Sequence, residues 1–345
     1  MTPRPLRCKS NLTQGMLLGM ANEIIELGKR LIGDLRVAPV SLGTWPMAGV
    51  TSLDVNDDDS IATLRACAEL GINFIDAAYC YGELGESENL IRRALVDSRD
   101  QYVLATKCGI HYEQGKQVND ARVEVIAEEC DESLRRLGTD RVELYYLHSP
   151  DPKVPIADSA GAIRRLIDAG KVLYAGASNC SLEQLREFHD ECPLAAVQLP
   201  YNMLQRDIEE LTIPWCREKG IAVVVYWALM KGLLAGRLTR ETTLAEKDNR
   251  WKYPMFQGEE WEKNQALVDS LREIAGDSGR TVAQVVINWT IQQPGITAAL
   301  CGAKRRWQIE ETAGAMGWQL SPKQLQAVEG VIKARGKAAA KRVFK

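Results

Sequence analysis

The chain alternates two kinds of apolar pattern. Short, nearly continuous apolar runs occur at 37–45, 74–76, 102–107, 142–148, 172–178, 195–198, 221–227 and 298–302. Between them, at 58–70, 87–96, 123–137, 156–169, 181–191 and 207–219, apolar residues recur every three or four positions. The first pattern reads as strands buried on both faces, the second as amphipathic helices. Eight such strands joined by helices predict parallel pairing and closure into an α/β fold, a single-domain (β/α)8 TIM barrel. Ser181 ahead of Leu182-Glu183-Gln184 reads as an N-cap with an acceptor three residues on, and Leu70-Gly71 and Leu137-Gly138 read as helix ends.

Flanking features follow from the same pattern. Ile24-Ile25-Glu26-Leu27 and Asp34-Leu35-Arg36-Val37 enclose a turn at 29–33, which predicts an N-terminal β-hairpin ahead of the barrel. The stretch 230–260 has weak periodicity and is too long for an ordinary connection, so it reads as a functional loop at the C-terminal face. No linker or repeat breaks the chain, and one domain is expected over 23–335, with an extension at 1–22 and a basic tail at 336–345. Residues 1–22 carry Arg4, Arg7 and Lys9 and no acid; they read as a loose tail, a targeting segment or an upstream start with Met20 as an alternative first residue.

Composition narrows the function classes. A hydrophobic fraction of 46% and a charged fraction of 26% are ordinary for a globular protein, and a net charge of −3 gives no case for nucleic acid. The longest apolar run, 221–230, is far shorter than a bilayer span, so no membrane partner is expected. Nine cysteines, an odd number with no Cys-x-x-Cys pair, point to a reducing compartment and a cytoplasmic location. His111, His148 and His189 have no metal-like spacing, and no metal is expected.

In a barrel the active site is built at the carboxyl ends of the strands. Asp76 ends the second predicted strand and Tyr81 follows it, Lys107 ends the third, and His148 ends the fourth. Read singly, Lys107 is a solvated cation and His148 a hydrogen-bonded barrel histidine. Together, closure gathers them at one mouth. A phenol titrates near 10, and an adjacent ammonium favours its ionised form. Lys107 is the candidate ammonium, Asp76 its ion-pair partner, and His148 the group that orients a carbonyl oxygen. Such a site protonates an oxygen on which negative charge develops. Cys80, beside Tyr81, has no assignable role from the sequence.

At these residues the chain resembles the aldo-keto reductases. Asp76-Ala77-Ala78, Tyr81-Gly82, Gly85 and Ser87-Glu88 are similar to one signature of that family. Leu144-Tyr145-Tyr146-Leu147-His148-Ser149-Pro150-Asp151 and Gly176-Ala177-Ser178-Asn179 are similar to two further elements. The resemblance implies a carbonyl reductase that binds NADPH, in preference to NADH, across the barrel mouth without a Rossmann domain, with Asp76, Tyr81, Lys107 and His148 as its catalytic tetrad. It implies that Ser178, Asn179 and Gln198 hold the nicotinamide carboxamide, that Tyr226 stacks on the ring, and that Gly43, Thr44, Trp45 and Asp76 line its reactive end. Trp227, Ala228, Leu229, Lys231 and Arg237 are implied at the pyrophosphate; Gly302, Ala303, Lys304, Gln308, Glu311 and Thr312 at the 2′-phosphate and adenine. The run Lys304-Arg305-Arg306 at a helix start suits a phosphate on its own account, or is a solvated basic turn.

The chain departs from the family pattern where Trp227-Ala228 stands for Ser-Pro and where Thr312 stands for an adenine-side Asn. Expected substrate contacts are Trp45, Tyr81, His148, His111 and Trp251, with Tyr79, Tyr112 and Tyr253 as further walls; core packing accounts equally well for each one singly. Aromatic walls suit hydrophobic or planar carbonyl compounds. Two other readings stay open: a nicotinamide-binding sensor or regulatory subunit with vestigial reductase activity, and a phosphate-binding barrel isomerase. The sequence does not specify an oligomeric state.

Overall fold

The computed structural model describes residues 28–52 and 54–338. The expected extension at 1–22, the hairpin arm expected at 24–27 and the end of the basic tail, 339–345, lie outside the described residues. Eight strands form a closed barrel: β1 (Val40–Gly43), β2 (Phe74–Asp76), β3 (Val103–Cys108), β4 (Val142–Leu147), β5 (Val172–Ser178), β6 (Leu194–Pro200), β7 (Ala222–Tyr226) and β8 (Ile296–Gly302). Each pairs in parallel with the next, and β8 returns to β1. Among the described residues ten helices surround it: α1 (Asp57–Glu69), α2 (Glu86–Leu95), α3 (Val123–Leu137), α4 (Ile156–Asp168), α5 (Leu182–Glu191), α6 (Thr212–Lys219), α7 (Gly258–Ser278), α8 (Val282–Gln292), α9 (Arg306–Ala313) and α10 (Pro322–Arg335).

Every strand residue of β2, β3 and β4 is buried, which is why these segments read as continuous apolar runs. The two faces separate by alternation. Phe74, Val103, Ala105, Leu144, Tyr146, Val224 and Leu300 share one apolar cluster, while their chain neighbours Ile75, Leu104, Tyr145, Val223, Val225 and Ala299 belong to the larger cluster with the helix residues. The capping box predicted at Ser181 is present: its hydroxyl accepts from Gln184 N and Gln184 Oε1 accepts from Ser181 N.

The N-terminal hairpin pairs Arg30–Ile32 with Leu35–Val37, so its turn is Gly33-Asp34, and its first described arm occupies residues expected to form the turn. Ile32 and Val37, both fully buried, join the apolar cluster of Phe74 and Leu144. Arg30 Nη1 donates to Ile296 O at the amino end of β8 (2.6 Å), and Tyr174 Oη donates to Asp34 Oδ1 (2.7 Å). The hairpin therefore stoppers the amino end of the barrel. A second antiparallel hairpin, Ile110–Glu113 with Lys116–Asn119, follows β3 and was not foreseen. Residues 230–257 hold three short 3-10 turns, Met230–Ala235, Asn249–Lys252 and Pro254–Phe256. Among the described residues no helix is long and apolar enough to cross a membrane.

Candidate active site

Closure brings Asp76, Tyr81, Lys107 and His148 together. The parallel ladder continues past β2 through Ala77 N to Ala105 O (2.8 Å) and Tyr79 N to Lys107 O (3.0 Å), and a turn from Ala78 O to Tyr81 N (2.9 Å) returns the phenol toward the lysine. Lys107 Nζ lies 2.5 Å from Asp76 Oδ1, 2.6 Å from Ala77 O and 3.2 Å from Tyr81 Oη. Gln198 Nε2 donates to the other carboxylate oxygen, Asp76 Oδ2, at 2.8 Å. The ion pair is fully buried, and a pair so removed from water persists because both partners keep a full set of hydrogen bonds. The His148 ring stands edge-on to Tyr81, with centroids 5.9 Å apart, and the Trp45 ring meets Tyr81 likewise at 5.1 Å.

The electrostatics differ in one respect from the expectation that Lys107 would lower the phenol. Burial, followed by the Asp76 charge, pushes Tyr81 well above 10. The Asp76 carboxylate, paired with Lys107, sits close enough to add to the effect of burial. Burial likewise raises Asp76 against the pull of Lys107 and Gln198. His148 is held well below 6.5 by burial and then by Lys107, and is neutral. The mouth thus holds a protonated phenol and an uncharged imidazole.

Several signature residues lock this geometry. Thr44 Oγ1 donates to Asp76 O (2.9 Å) and lies 2.5 Å from Ser87 Oγ. Buried Glu88 accepts from Thr106 Oγ1 (2.6 Å), tying α2 to β3. Gly85 sits at φ 74 and Gly176 faces the Tyr146 ring, where a Cβ would come within 2.3 Å; neither position has room for a side chain.

On the expected cofactor side, Asn179 Nδ2 donates to His148 O (2.8 Å), Ser178 Oγ donates to Gln198 O (2.9 Å), and Tyr226 Oη donates to Asn179 Oδ1 (2.7 Å). Four of the six non-glycine residues with positive φ among those described, Asn179, Trp227, Met230 and Lys231, lie here. Such strain is held by its surroundings: the Lys231 ammonium is 4.8 Å from the Trp227 ring and 4.6 Å from the Tyr253 ring. Ala228 is buried and Leu229 packs partly against the core. Arg237 pairs with Glu311 Oε2 (2.9 Å) and lies over the Trp307 ring at 4.2 Å. Gln308 Oε1 accepts from Lys304 N and Arg305 N, and Thr312 Oγ1 donates to carbonyls of its own helix. Gly302 stands opposite Gly43 across β8 and β1. Within the basic run, Arg305 pairs with Asp59 and Arg306 with Glu69 and Glu310.

Of the expected substrate walls, Trp45 is tethered by Nε1 to Thr51 Oγ1 (2.8 Å). His111 Nδ1 lies 3.0 Å from buried Glu129 Oε1, and Tyr112 Oη accepts from Gln117 (3.1 Å). Tyr79 lies under the Arg136 guanidinium at 4.2 Å. The Trp251 side chain lies outside what is described. The hydrogen bond of Thr44 to Asp76 and the pairing of Glu129 with His111 were missed, because neither leaves a local sequence signal.

A (β/α)8 barrel with its polar side chains gathered at the carboxyl ends of the strands is the architecture of a barrel enzyme. The Aldo/keto reductase family model matches residues 39–333, and the chain belongs to that family of nicotinamide-dependent oxidoreductases. It is 34% identical over 301 residues to aldo-keto reductase YhdN of Bacillus subtilis (strain 168), covering 86% of this chain and 91% of the relative. It is 32% identical over 308 residues to aldo-keto reductase str7 of Strobilurus tenacellus, covering 88% and 90%. The structure of glycerol dehydrogenase AKR11B4 from Gluconobacter oxydans superposes with a TM-score of 0.83 at 33% identity, over 92% of this chain and 98% of that one.

Proposed function

We propose that the chain reduces an aldehyde or ketone to the alcohol with NADPH, reversibly, with Tyr81 giving the proton to the carbonyl oxygen. The observation that carries this reading is the Tyr81 phenol 3.2 Å from Lys107 Nζ, with the His148 ring edge-on to it. NADPH, when bound, supplies the hydride for the carbonyl carbon. Tyr81 holds the matching proton at Oη. Lys107, fixed by Asp76, keeps an ammonium beside the oxygen that becomes phenolate, and His148 orients the carbonyl. Trp45, against the edge of Tyr81, helps exclude water.

The residues fit the cofactor. Ser178, Asn179 and Gln198 present hydroxyl and amide groups suited to a carboxamide, and Tyr226, tied down through Asn179, suits a stacked ring. We assign the NADPH preference to Lys304, whose backbone N is held by Gln308 Oε1 just ahead of α9, where a cationic side chain and exposed helix N–H groups favour a phosphate. A structural neighbour named a glycerol dehydrogenase supports reversibility. In the Tyr81→Phe variant, turnover should fall by about 10²–10⁴-fold, the usual worth of general acid catalysis, with NADPH binding retained. Wild-type turnover in that variant would remove Tyr81 from the reaction. A panel of aldehydes and ketones, followed by NADPH and NADH oxidation in parallel, tests the reaction class.

A further inference from the structure

The reaction above does not use the Cys80 thiol, which stands beside Tyr81 at the mouth. Its sulfur lies 3.5 Å from His148 Nδ1, within reach of a thiol hydrogen bond. Both residues are fixed in place. The neighbouring Tyr81 N is held by Ala78 O, and Gln117 Nε2 reaches Cys80 O at 3.5 Å. His148 N donates to Cys108 O (2.9 Å), and His148 O accepts from Asn179. Cys67 and Cys180 direct their thiols at backbone carbonyls nearby in sequence, whereas Cys80 directs its thiol at a ring nitrogen.

The two protonation states leave one hydrogen on the sulfur and one on the ring to place in this contact. Burial pushes the Cys80 thiol up to about 12, so it keeps its hydrogen. His148 is neutral and offers one ring nitrogen as an acceptor. With the thiol as donor, Nδ1 accepts from sulfur and the hydrogen of the imidazole resides on Nε2, the nitrogen left for a ligand; with Nδ1–H as donor, sulfur accepts and Nε2 carries the lone pair.

We propose that Cys80 is a positioning residue: its thiol donates to His148 Nδ1 and fixes the Nε2–H tautomer, so that His148 meets the carbonyl oxygen as a hydrogen-bond donor. The proposal rests on the reading of His148 as the carbonyl-orienting group. The alternative tautomer would present a lone pair to an oxygen gaining negative charge, which repels it. A ring nitrogen's role is commonly set by the bond its partner makes in this way.

The test uses the full chain labelled with [15N]histidine, alone and without nicotinamide or carbonyl compound, with His148 assigned through His148→Gln. In the wild type, long-range 15N spectra between pH 6 and 8 should show an acceptor-type Nδ1 and a hydrogen-bearing Nε2. A wild-type spectrum with the hydrogen on Nδ1 would overturn the proposal whatever the variants do. In Cys80→Ala the Nδ1 resonance should move toward that of an unbonded nitrogen, and kcat/KM for NADPH-dependent reduction of benzaldehyde should drop about 3–10-fold, the worth of one neutral hydrogen bond. Cys80→Ser, which keeps a donor, should stay closer to the wild type in both readouts. Tyr81→Phe is measured alongside. If it is inactive while Cys80→Ala matches the wild type in Nδ1 shift and rate, the Cys80 role fails alone. If the wild type itself reduces no carbonyl compound with NADPH, the reductase reading fails, and the spectra still decide the tautomer.

Discussion

Lys107 and Asp76 form a charge pair with no access to water, held by Gln198 on one side and Ala77 O on the other. Removing one partner strands the other, so Asp76→Ala should destabilise the protein by about 3–5 kcal/mol, measured by urea unfolding. A loss below about 1 kcal/mol would mean that water reaches Lys107. The identities of these residues were legible in the sequence, because Asp76, Tyr81, Lys107 and His148 stand at successive strand ends. The state of Tyr81 was not. It depends first on how completely the closed barrel buries the phenol and then on the nearby Asp76 charge, and neither is written in the local sequence. Cys80 was equally opaque, since its partner lies 68 positions away.

At the scale of elements, the hairpin after β3 is anchored by a carboxyl group with an unusual titration. Glu129 on α3 accepts from Gly109 N (2.6 Å) and faces His111. Burial raises it from 4.5 to about 7. The folded state thus keeps a proton that the unfolded chain releases above 4.5, and this group's contribution to stability is lost as pH rises from about 4.5 through 7. The wild-type Tm should fall more between pH 5.5 and 8 than the Tm of Glu129→Gln. An equal or steeper fall in the variant would refute the assignment. The eight barrel strands were readable because both faces are buried and the runs are continuous. The hairpin itself was not, since Ile110–Glu113 and Lys116–Asn119 are polar, partly exposed and short. The basic run at 304–306 was read as one cluster. Its arginines instead cross to Asp59 and Glu69 of α1, and pairing across 246 and 237 positions of sequence leaves no local trace.

For the molecule as a whole, the assignment of cofactor preference to Lys304 makes a binding prediction. Lys304→Ala should weaken NADPH by about 10–100-fold, the range for a charged hydrogen bond, and leave NADH within about 2-fold, by fluorescence titration. Equal weakening of both would place the selectivity elsewhere. Barrel closure is what assembles the site, and it was legible as a count of strands. What the count could not reveal is how the far end is finished, with Ile32 and Val37 packed onto the cluster of Phe74 and Leu144 and Arg30 stitched to β8. On the proposed reading that seal bears on proton resupply. The hairpin and the apolar cluster of Phe74 and Leu144 leave water no way in from that end, so on that reading the proton that Tyr81 gives up is replaced from the mouth.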